Sequence, residues 1–148
     1  FSMEYLDALF ELYAGKGMTD YMEPLYPYEE EREYQQAYIE QMYRFYGYGM
    51  WIVCDRNTGE LIGRAGVEHR EELGYAIGVP WQRQGYATEV CNAILTYIKD
   101  ELMLPSVSCL IETGNVVSEH LAQKLGFHYC ETVQIDGKQM RKYKVAFY

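Results

Sequence analysis

A strand-to-helix junction at residues 82–87 restricts the fold of this chain more than any other feature. An apolar strand is predicted from Leu73 to Val79 and an amphipathic helix from Thr88 to Glu101, and the segment Gln-Arg-Gln-Gly-Tyr-Ala joins them. The first N–H groups of a helix have no acceptor inside the helix, and they carry the positive end of its dipole. Gly85 has no side chain, so a phosphate can approach the main chain there. The junction predicts a diphosphate site made mainly of main-chain groups, and the alternative is a turn with a structural role only.

Hydrophobic periodicity predicts ten elements in the order ααβββαβαββ. The predicted helices cover residues 3–13, 29–45, 88–101 and 116–126, and the predicted strands cover 50–55, 61–69, 73–79, 106–112, 127–134 and 138–147. The apolar stripe predicted for the second helix consists of Tyr34, Tyr38, Ile39, Met42 and Phe45. Strands followed by a strand–helix–strand unit favour an α/β (α+β) fold, with a mixed sheet and helices on both faces.

Composition limits the class of protein. The 148 residues predict one domain, residues 1–148. No apolar run is long enough to span a bilayer and the start of the chain does not resemble a secretory leader, so we expect a cytoplasmic protein without a membrane partner. The net charge of −9 argues against nucleic-acid binding, which needs a basic surface. The widely spaced cysteines predict no metal site or disulfide, and we interpret them as small core residues: Cys54, Cys91, Cys109 and Cys130.

The first third of the chain is acidic and rich in tyrosine. Residues 1–48 hold ten acidic against three basic residues, together with ten of the sixteen tyrosines. An acidic surface attracts a cationic substrate, and tyrosine, with an apolar ring and a polar tip, suits the wall of a pocket. The alternative for the acidic run Glu29–Glu33 is a solvated helix face. We expect two or three tyrosines to contact substrate and the others to pack.

Two linked motifs resemble a known family. The pattern Gln82-x-x-Gly85-x-Ala87 resembles the Q/R-x-x-G-x-G/A signature of the GNAT N-acetyltransferases, and Asn115-x-x-Ser118 followed by Leu-Gly-Phe at residues 125–127 resembles their second cofactor segment. The resemblance is best over residues 59–130 and is closest to the subgroup of ribosomal-protein N-terminal acetyltransferases. It implies a three-layer α/β/α fold around a mixed, mostly antiparallel, twisted sheet. The family's fold normally opens with a strand, whereas this chain starts in a helix, so either that strand is missing or these 148 residues are a piece of a longer protein.

The resemblance also implies acetyl-CoA as cofactor and a set of residues that bind it. The pantetheine arm is expected in a cleft between residues 75–79 and 106–112, against the main chain of Ile77 and Val79. Asn115 and Ser118 are expected beside the arm, although Asn115 also suits a helix cap and Ser118 also suits the stabilisation of a first helical turn. The tyrosine that many members place seven residues after the motif asparagine is Ala122 here, so Ser118 becomes the candidate near the sulfur. The diphosphate is expected on the turn: Gln82, Arg83, Gln84, Gly85, Tyr86, Ala87 and Thr88.

An amine acceptor needs a base, because an alkylamine has a pKa near 10.4 and about one molecule in 10³ is neutral at pH 7. Glu72 is the first candidate, since strand alternation places it on one face with Gly74 and Ala76. Glu68, which ends the preceding strand, is the second. The alternative for both is a solvent-facing acid that pairs with Arg64 or Arg70.

These observations predict an acetyl-CoA-dependent N-acetyltransferase whose acceptor is a primary amine of a small molecule or of a protein N-terminus. Two other readings stay open: a catalytically silent acyl-CoA-binding domain that acts as a sensor or subunit, and an interaction domain whose glycine turn binds nothing. Homodimers that pair through the last strands are common in the family, so a homodimer is also expected.

Overall fold

The computed structural model describes residues 1–147. Its helices are α1 (Leu6–Tyr13), α2 (Tyr28–Tyr38), α3 (Arg44–Tyr46), α4 (Tyr86–Tyr97) and α5 (Val116–Lys124). Its strands are β1 (Met50–Cys54), β2 (Leu61–Glu68), β3 (Glu72–Ile77), β4 (Ser106–Glu112), β5 (His128–Ile135) and β6 (Lys138–Ala146). Single π-helical turns, Ile39–Tyr43 and Ile98–Leu102, follow α2 and α4. In residues 1–147 no helix is long and apolar enough to cross a bilayer.

The six strands form one mixed sheet in the order β1-β2-β3-β4-β6-β5. Every neighbouring pair is antiparallel except β3 and β4, which are parallel. The mixed α/β fold, the element order and the mostly antiparallel sheet are therefore confirmed. In residues 1–147 the first strand, β1, follows the helices α1, α2 and α3. Strand β5 lies at the edge of the sheet and is almost fully exposed, and the homodimer stays a prediction.

Helices cover both faces of the sheet, and the side chains of β3 point alternately to one face and to the other. Leu73 belongs to the main core, where β2 and β4 pack against α4. Ala76 belongs to a smaller core with Leu12 of α1 and with Met18. Strand residues alternate in direction, so the even-numbered residues of β3 face α1 and the odd-numbered residues face α4. The inward residues predicted for α4 are buried as expected: Cys91, Ile94, Leu95 and Ile98.

The buried face of α2 differs from the predicted apolar stripe. Phe45 is 84% exposed, whereas Glu31 and Gln35 are each only 3% exposed. Gln35 donates from Nε2 to Oε1 of Glu31 at 2.8 Å, and the main-chain N–H of Tyr26 donates to Oε2 at 3.0 Å. Burial of polar side chains is tolerated when they are hydrogen-bonded, and these two satisfy each other. The interpretation of the whole run Glu29–Glu33 as a solvated face was therefore wrong at Glu31.

The four cysteines do not share one environment. Cys91 and Cys109 are buried, and burial raises the pKa of each thiol to about 12. Cys54 and Cys130 are exposed, so their interpretation as core residues was wrong. Cys54 lies on β1 and Cys130 on β5, the two edge strands of the sheet. Each is at a point where the pairing register with the neighbouring strand shifts. Edge strands have fewer packing neighbours, and periodicity alone does not reveal which strands are at an edge.

Candidate active site

The turn between β3 and α4 presents a row of free main-chain donors. The N–H groups of residues 83–88 have no hydrogen-bond acceptor anywhere in residues 1–147, and the first helical bond of α4 runs from Glu89 N–H to the Gly85 carbonyl. Gly85 adopts φ 87° and Arg83 adopts φ 61°, so two left-handed residues bend the chain into the helix. An ideal Cβ on Gly85 meets nothing within 4 Å. The space above the turn is open, and the dipole of α4 favours an anion there.

The side chains of the turn divide into two kinds. Gln82 donates from Nε2 to the Ile77 carbonyl at 2.9 Å, and Gln84 donates from Nε2 to the Pro80 carbonyl at 2.9 Å. These two side-chain amides tie the turn to the residues that precede it. Arg83 is exposed, and its guanidinium makes no hydrogen bond or ion pair with residues 1–147. Its left-handed backbone costs about 1–2 kcal/mol in a non-glycine residue, and strain of this kind is concentrated at functional sites.

Strands β3 and β4 separate soon after they begin. Their ladder has a single parallel pair, Glu72 opposite Ser108, with the Ser108 N–H bonded to the Glu71 carbonyl at 3.0 Å. Beyond this pair, in the direction of the turn, a gap opens between the two strands. The Gly78 N–H is not free, because it bonds the Ile62 carbonyl at 2.8 Å. Donor direction alternates along an antiparallel strand, so the N–H of Ile77 points away from β2 and into the gap. Val79 follows in a 3₁₀ turn and is 37% exposed.

Helix α5 follows β4 and closes the other side of the gap. Asn115 caps it, because its Oδ1 accepts the Ser118 N–H at 3.3 Å. The hydroxyl of Tyr75, on β3, donates to Oγ of Ser118 at 2.7 Å. Burial raises the pKa of Tyr75 to about 12, so this hydroxyl stays protonated at neutral pH. Ala122 is buried in the core. Strand alternation places Tyr75 on the face opposite Glu72, but the sequence did not predict this contact, which joins residues 43 positions apart.

The two candidate carboxylates lie together on the opposite face of the sheet. Glu68 and Glu72 are direct cross-strand partners of β2 and β3, and such partners bring their Cβ atoms to about 5 Å. Oε2 of Glu68 accepts a hydrogen bond from the Tyr38 hydroxyl at 3.3 Å. Neither carboxylate has an ion-pair partner in the part of the chain that the structure describes. The pairing with Arg64 or Arg70 that served as the alternative is thus absent from residues 1–147.

A small cavity of about 70 Å³ opens beside Glu68, on the face that α1 and α2 cover. This volume holds a few water molecules or the head of an amine. Arg64 also reaches the cavity, but its Nε donates to the Tyr13 hydroxyl at 2.9 Å and its guanidinium lies 5.1 Å from the centre of that ring. Glu72 does not line the cavity. The lining residues are Phe1, Tyr34, Gln35, Tyr38, Met50, Arg64 and Glu68.

Tyrosines hold the wall of this cavity in place. Tyr38 accepts the Met50 N–H at 2.9 Å, and the Tyr43 hydroxyl donates to the Met50 carbonyl. Burial, then the Glu68 carboxylate, raises the pKa of Tyr38, so its hydroxyl remains a donor to Glu68. Burial also raises the pKa of Tyr43 to about 12. The excess of tyrosine in residues 1–48 was the signal for this wall, although the sequence did not show which residues form it.

A mixed sheet split between two parallel strands, with a helix start at the split whose dipole favours an anion, defines an α/β protein with a candidate anion site. The family model described as acetyltransferase (GNAT) domain matches residues 1–128. YkkB of Bacillus subtilis, described as an uncharacterized protein, is 32% identical over 110 residues, which are 70% of this chain and 64% of YkkB. "Putative ribosomal N-acetyltransferase YdaF", also of Bacillus subtilis, is 31% identical over 61 residues, which are 41% of this chain and 33% of YdaF.

Solved structures agree with these relatives. A "Putative GnaT-family acetyltransferase from Bordetella pertussis" superposes with a TM-score of 0.80 at 25% identity, over 98% of this chain and 92% of that chain. The chain therefore belongs to the GNAT acetyltransferase family, and the relatives it matches include one described as a putative ribosomal N-acetyltransferase. The matched segments span less than two thirds of the length of YkkB and of YdaF.

Proposed function

We propose that this chain is an acetyl-CoA-dependent N-acetyltransferase that acts on a primary amine of a small molecule or of a protein N-terminus. The observation that carries this proposal is the row of free N–H groups at residues 83–88, at the mouth of the gap between β3 and β4. Preorganised donors at a helix start suit a diphosphate, and a split sheet gives an extended arm a channel with hydrogen-bonding walls. The proposed location is the cytoplasm, which supplies acetyl-CoA.

The residues present fit the coenzyme. The N–H groups of Gly85, Tyr86, Ala87 and Thr88 would bind the diphosphate, and the unpaired guanidinium of Arg83 would add a positive charge beside it. Gln82 and Gln84 would keep the turn in shape through their bonds to carbonyl groups below it. The Ile77 N–H, and with it the main chain as far as Val79, would bind the arm. The side-chain amide NH₂ of Asn115 is free to do the same while its oxygen caps α5.

The coenzyme supplies an acetyl thioester, whose carbonyl carbon forms a bond to the amine nitrogen while the carbon–sulfur bond breaks. The amine must lose a proton in this exchange. Glu68 is the group in the right environment to accept it, because it lines a cavity and has no ion-pair partner in residues 1–147. Glu72, directly opposite on β3, is the second candidate. Tyr38 orients Glu68 through its hydroxyl.

The surroundings of the cavity favour a cationic acceptor. Glu68 lies at the cavity, and the buried Glu31 lies behind it, bonded to the lining residue Gln35. The one cation that lines the cavity through its side chain, Arg64, is turned toward Tyr13. An amine in its protonated form is therefore attracted to this face before it transfers a proton. A protein N-terminus and a small polar amine both satisfy these conditions.

Two measurements test the proposal. Calorimetry should detect binding of both CoA and acetyl-CoA, and a screen of amines should release free thiol with at least one acceptor. Glu68→Gln and Glu72→Gln should each keep CoA binding, and the variant that loses the base should turn over about 10² times more slowly or worse. Binding without turnover on any amine would point to the silent acyl-CoA-binding domain. No binding of either coenzyme form would overturn the proposal.

A further inference from the structure

The hydrogen bond between Tyr75 and Ser118 spans the gap that splits the sheet. Tyr75 belongs to β3, and Ser118 belongs to the first turn of α5, the helix that follows β4. The two hydroxyl oxygens are 2.7 Å apart. Tyr75 is an odd-numbered residue of β3, so its side chain lies on the face opposite the cavity of Glu68. The contact is therefore on the side of the gap away from the proposed amine site.

The geometry fixes where the proton of Ser118 can go. A serine hydroxyl has one hydrogen to donate and two lone pairs to accept with, and Tyr75 occupies one lone pair. The Ser118 hydroxyl donates to no acceptor in residues 1–147, not even to a carbonyl of the preceding turn, where a helical serine often finds one. The acceptor of its main-chain N–H is Asn115. Its hydroxyl hydrogen is thus directed away from Tyr75 and remains available to a molecule in the gap.

We propose that Tyr75 is a positioning residue, which orients the Ser118 hydroxyl so that it donates a hydrogen bond to the coenzyme sulfur. This inference rests on the proposed function. The sulfur takes the electron pair of the breaking carbon–sulfur bond, and the oriented hydroxyl stabilises the negative charge that develops there. No proton leaves Ser118 or Tyr75. Many family members have a tyrosine at the position of Ala122. Here the Ser118 hydroxyl of α5, held by the Tyr75 hydroxyl of β3, would supply the hydrogen bond to the sulfur instead.

Kinetics separate this role from a structural one. Tyr75→Phe keeps the ring and its packing but removes the hydroxyl, so we expect kcat to fall about tenfold with KM for acetyl-CoA within about twofold. Ser118→Ala should lower kcat at least as much. In the Ser118→Ala background, Tyr75→Phe should have no further effect on kcat, because Tyr75 acts only through Ser118.

The matched control is Tyr143→Phe. The Tyr143 hydroxyl donates to Oε1 of Glu119 at 3.0 Å, so this change removes a hydrogen bond to the same helix, at the residue next to Ser118. It should leave kcat unchanged. If Tyr75→Phe and Tyr143→Phe lower kcat equally, or if Tyr75→Phe multiplies the defect of Ser118→Ala, then the hydroxyl of Tyr75 only anchors α5 and the inference is overturned.

Binding provides a readout that does not depend on turnover. Calorimetry should compare CoA with desulfo-CoA, which has hydrogen in place of the thiol. At about pH 9.5, where a thiol is largely ionised, Tyr75→Phe and Ser118→Ala should weaken CoA binding about fivefold or more but leave desulfo-CoA binding unchanged. Equal losses for both ligands, or no loss for either, would overturn the inference even if the parent protein is an active transferase. A parent protein that binds CoA but acetylates no amine would overturn the proposed function and this inference with it.

Discussion

Substitution of Gly85 by glutamate should strongly weaken coenzyme binding for an electrostatic reason, and Gly59 supplies a matched control. Both glycines have a positive φ, 87° and 74°, and an ideal Cβ at either position meets nothing within 4 Å. Gly85 begins α4, whereas Gly59 lies in the turn between β1 and β2. The two glutamate variants therefore pay a similar backbone cost, about 1–2 kcal/mol for a left-handed residue. For a chain of this size that lowers Tm by roughly 2–8 °C in both.

Binding should separate the two variants. A carboxylate on residue 85 points into the open space above the turn, where the diphosphate would lie. Two unit charges 4 Å apart repel by about 4 kcal/mol at the effective dielectric of a protein surface. Even after screening halves this value, a loss of about 2 kcal/mol corresponds to a roughly 30-fold weaker Kd. Gly59→Glu should bind CoA as the parent does.

Calorimetry with CoA at two salt concentrations measures this effect, and Gly85→Gln separates charge from volume. The difference in Kd between Gly85→Glu and Gly85→Gln should shrink as salt rises from 0.05 to 0.5 M, because ions screen an exposed charge pair. If Gly85→Glu binds CoA within threefold of Gly59→Glu at low salt, the diphosphate does not lie on this turn. The same result would remove the basis of the proposed function.

Three further predictions concern other parts of the chain. If Glu68 is the base, Glu68→Gln should lower kcat about 10²-fold while the Kd for CoA stays within about twofold, and a variant with the kcat of the parent would assign the base elsewhere. Tyr38→Phe should lower the free energy of unfolding in urea by about 1–3 kcal/mol, because it leaves a main-chain N–H and a carboxylate oxygen without their hydrogen-bond partner. The control is Tyr34→Phe. The Tyr34 hydroxyl has no hydrogen bond in residues 1–147, so this change should alter the free energy of unfolding by less than about 0.5 kcal/mol. At pH 8 a disulfide reagent should label two of the four thiols in the native protein, and Cys91 and Cys109 only in denaturant, since a pKa of about 12 leaves about one thiol in 10⁴ ionised; four equal rates would contradict this.

Local patterns predicted the elements and the turns because each has a cause within a few residues. The inward face of α4 follows from apolar residues at helical spacing, and all its predicted core positions from Cys91 to Ile98 are buried. The Asp136-Gly137 turn follows from two residues that tolerate positive φ, here 51° and 78°, between the paired residues Ile135 and Lys138. Such features need no knowledge of the rest of the fold.

Contacts between distant segments were beyond the reach of the sequence. The apolar stripe predicted for the second helix included Phe45, which is exposed, whereas a hydrogen bond between Gln35 and Glu31 allows these two polar side chains to be buried. The contact between Tyr75 and Ser118 depends on how α5 returns over the sheet, which no local pattern encodes. The same holds for Tyr38 and Glu68, which are 30 residues apart. The site was therefore predictable as a turn and not as an arrangement of side chains.

The alternating side chains of β3 place the two groups that the proposed reaction needs on opposite faces of the sheet. Acyl transfer from a thioester needs one group to accept the proton of the amine and another to stabilise the departing sulfur, and the two must approach from different sides. One strand beside a gap meets this need, because its even-numbered residue Glu72 lies on the sheet face that carries Glu68 while its odd-numbered residue Tyr75 contacts Ser118 on the other face. A slip of one residue in the pairing of β2 with β3 would exchange the two sets. The register of β3 is thus a condition for the chemistry as well as for the fold.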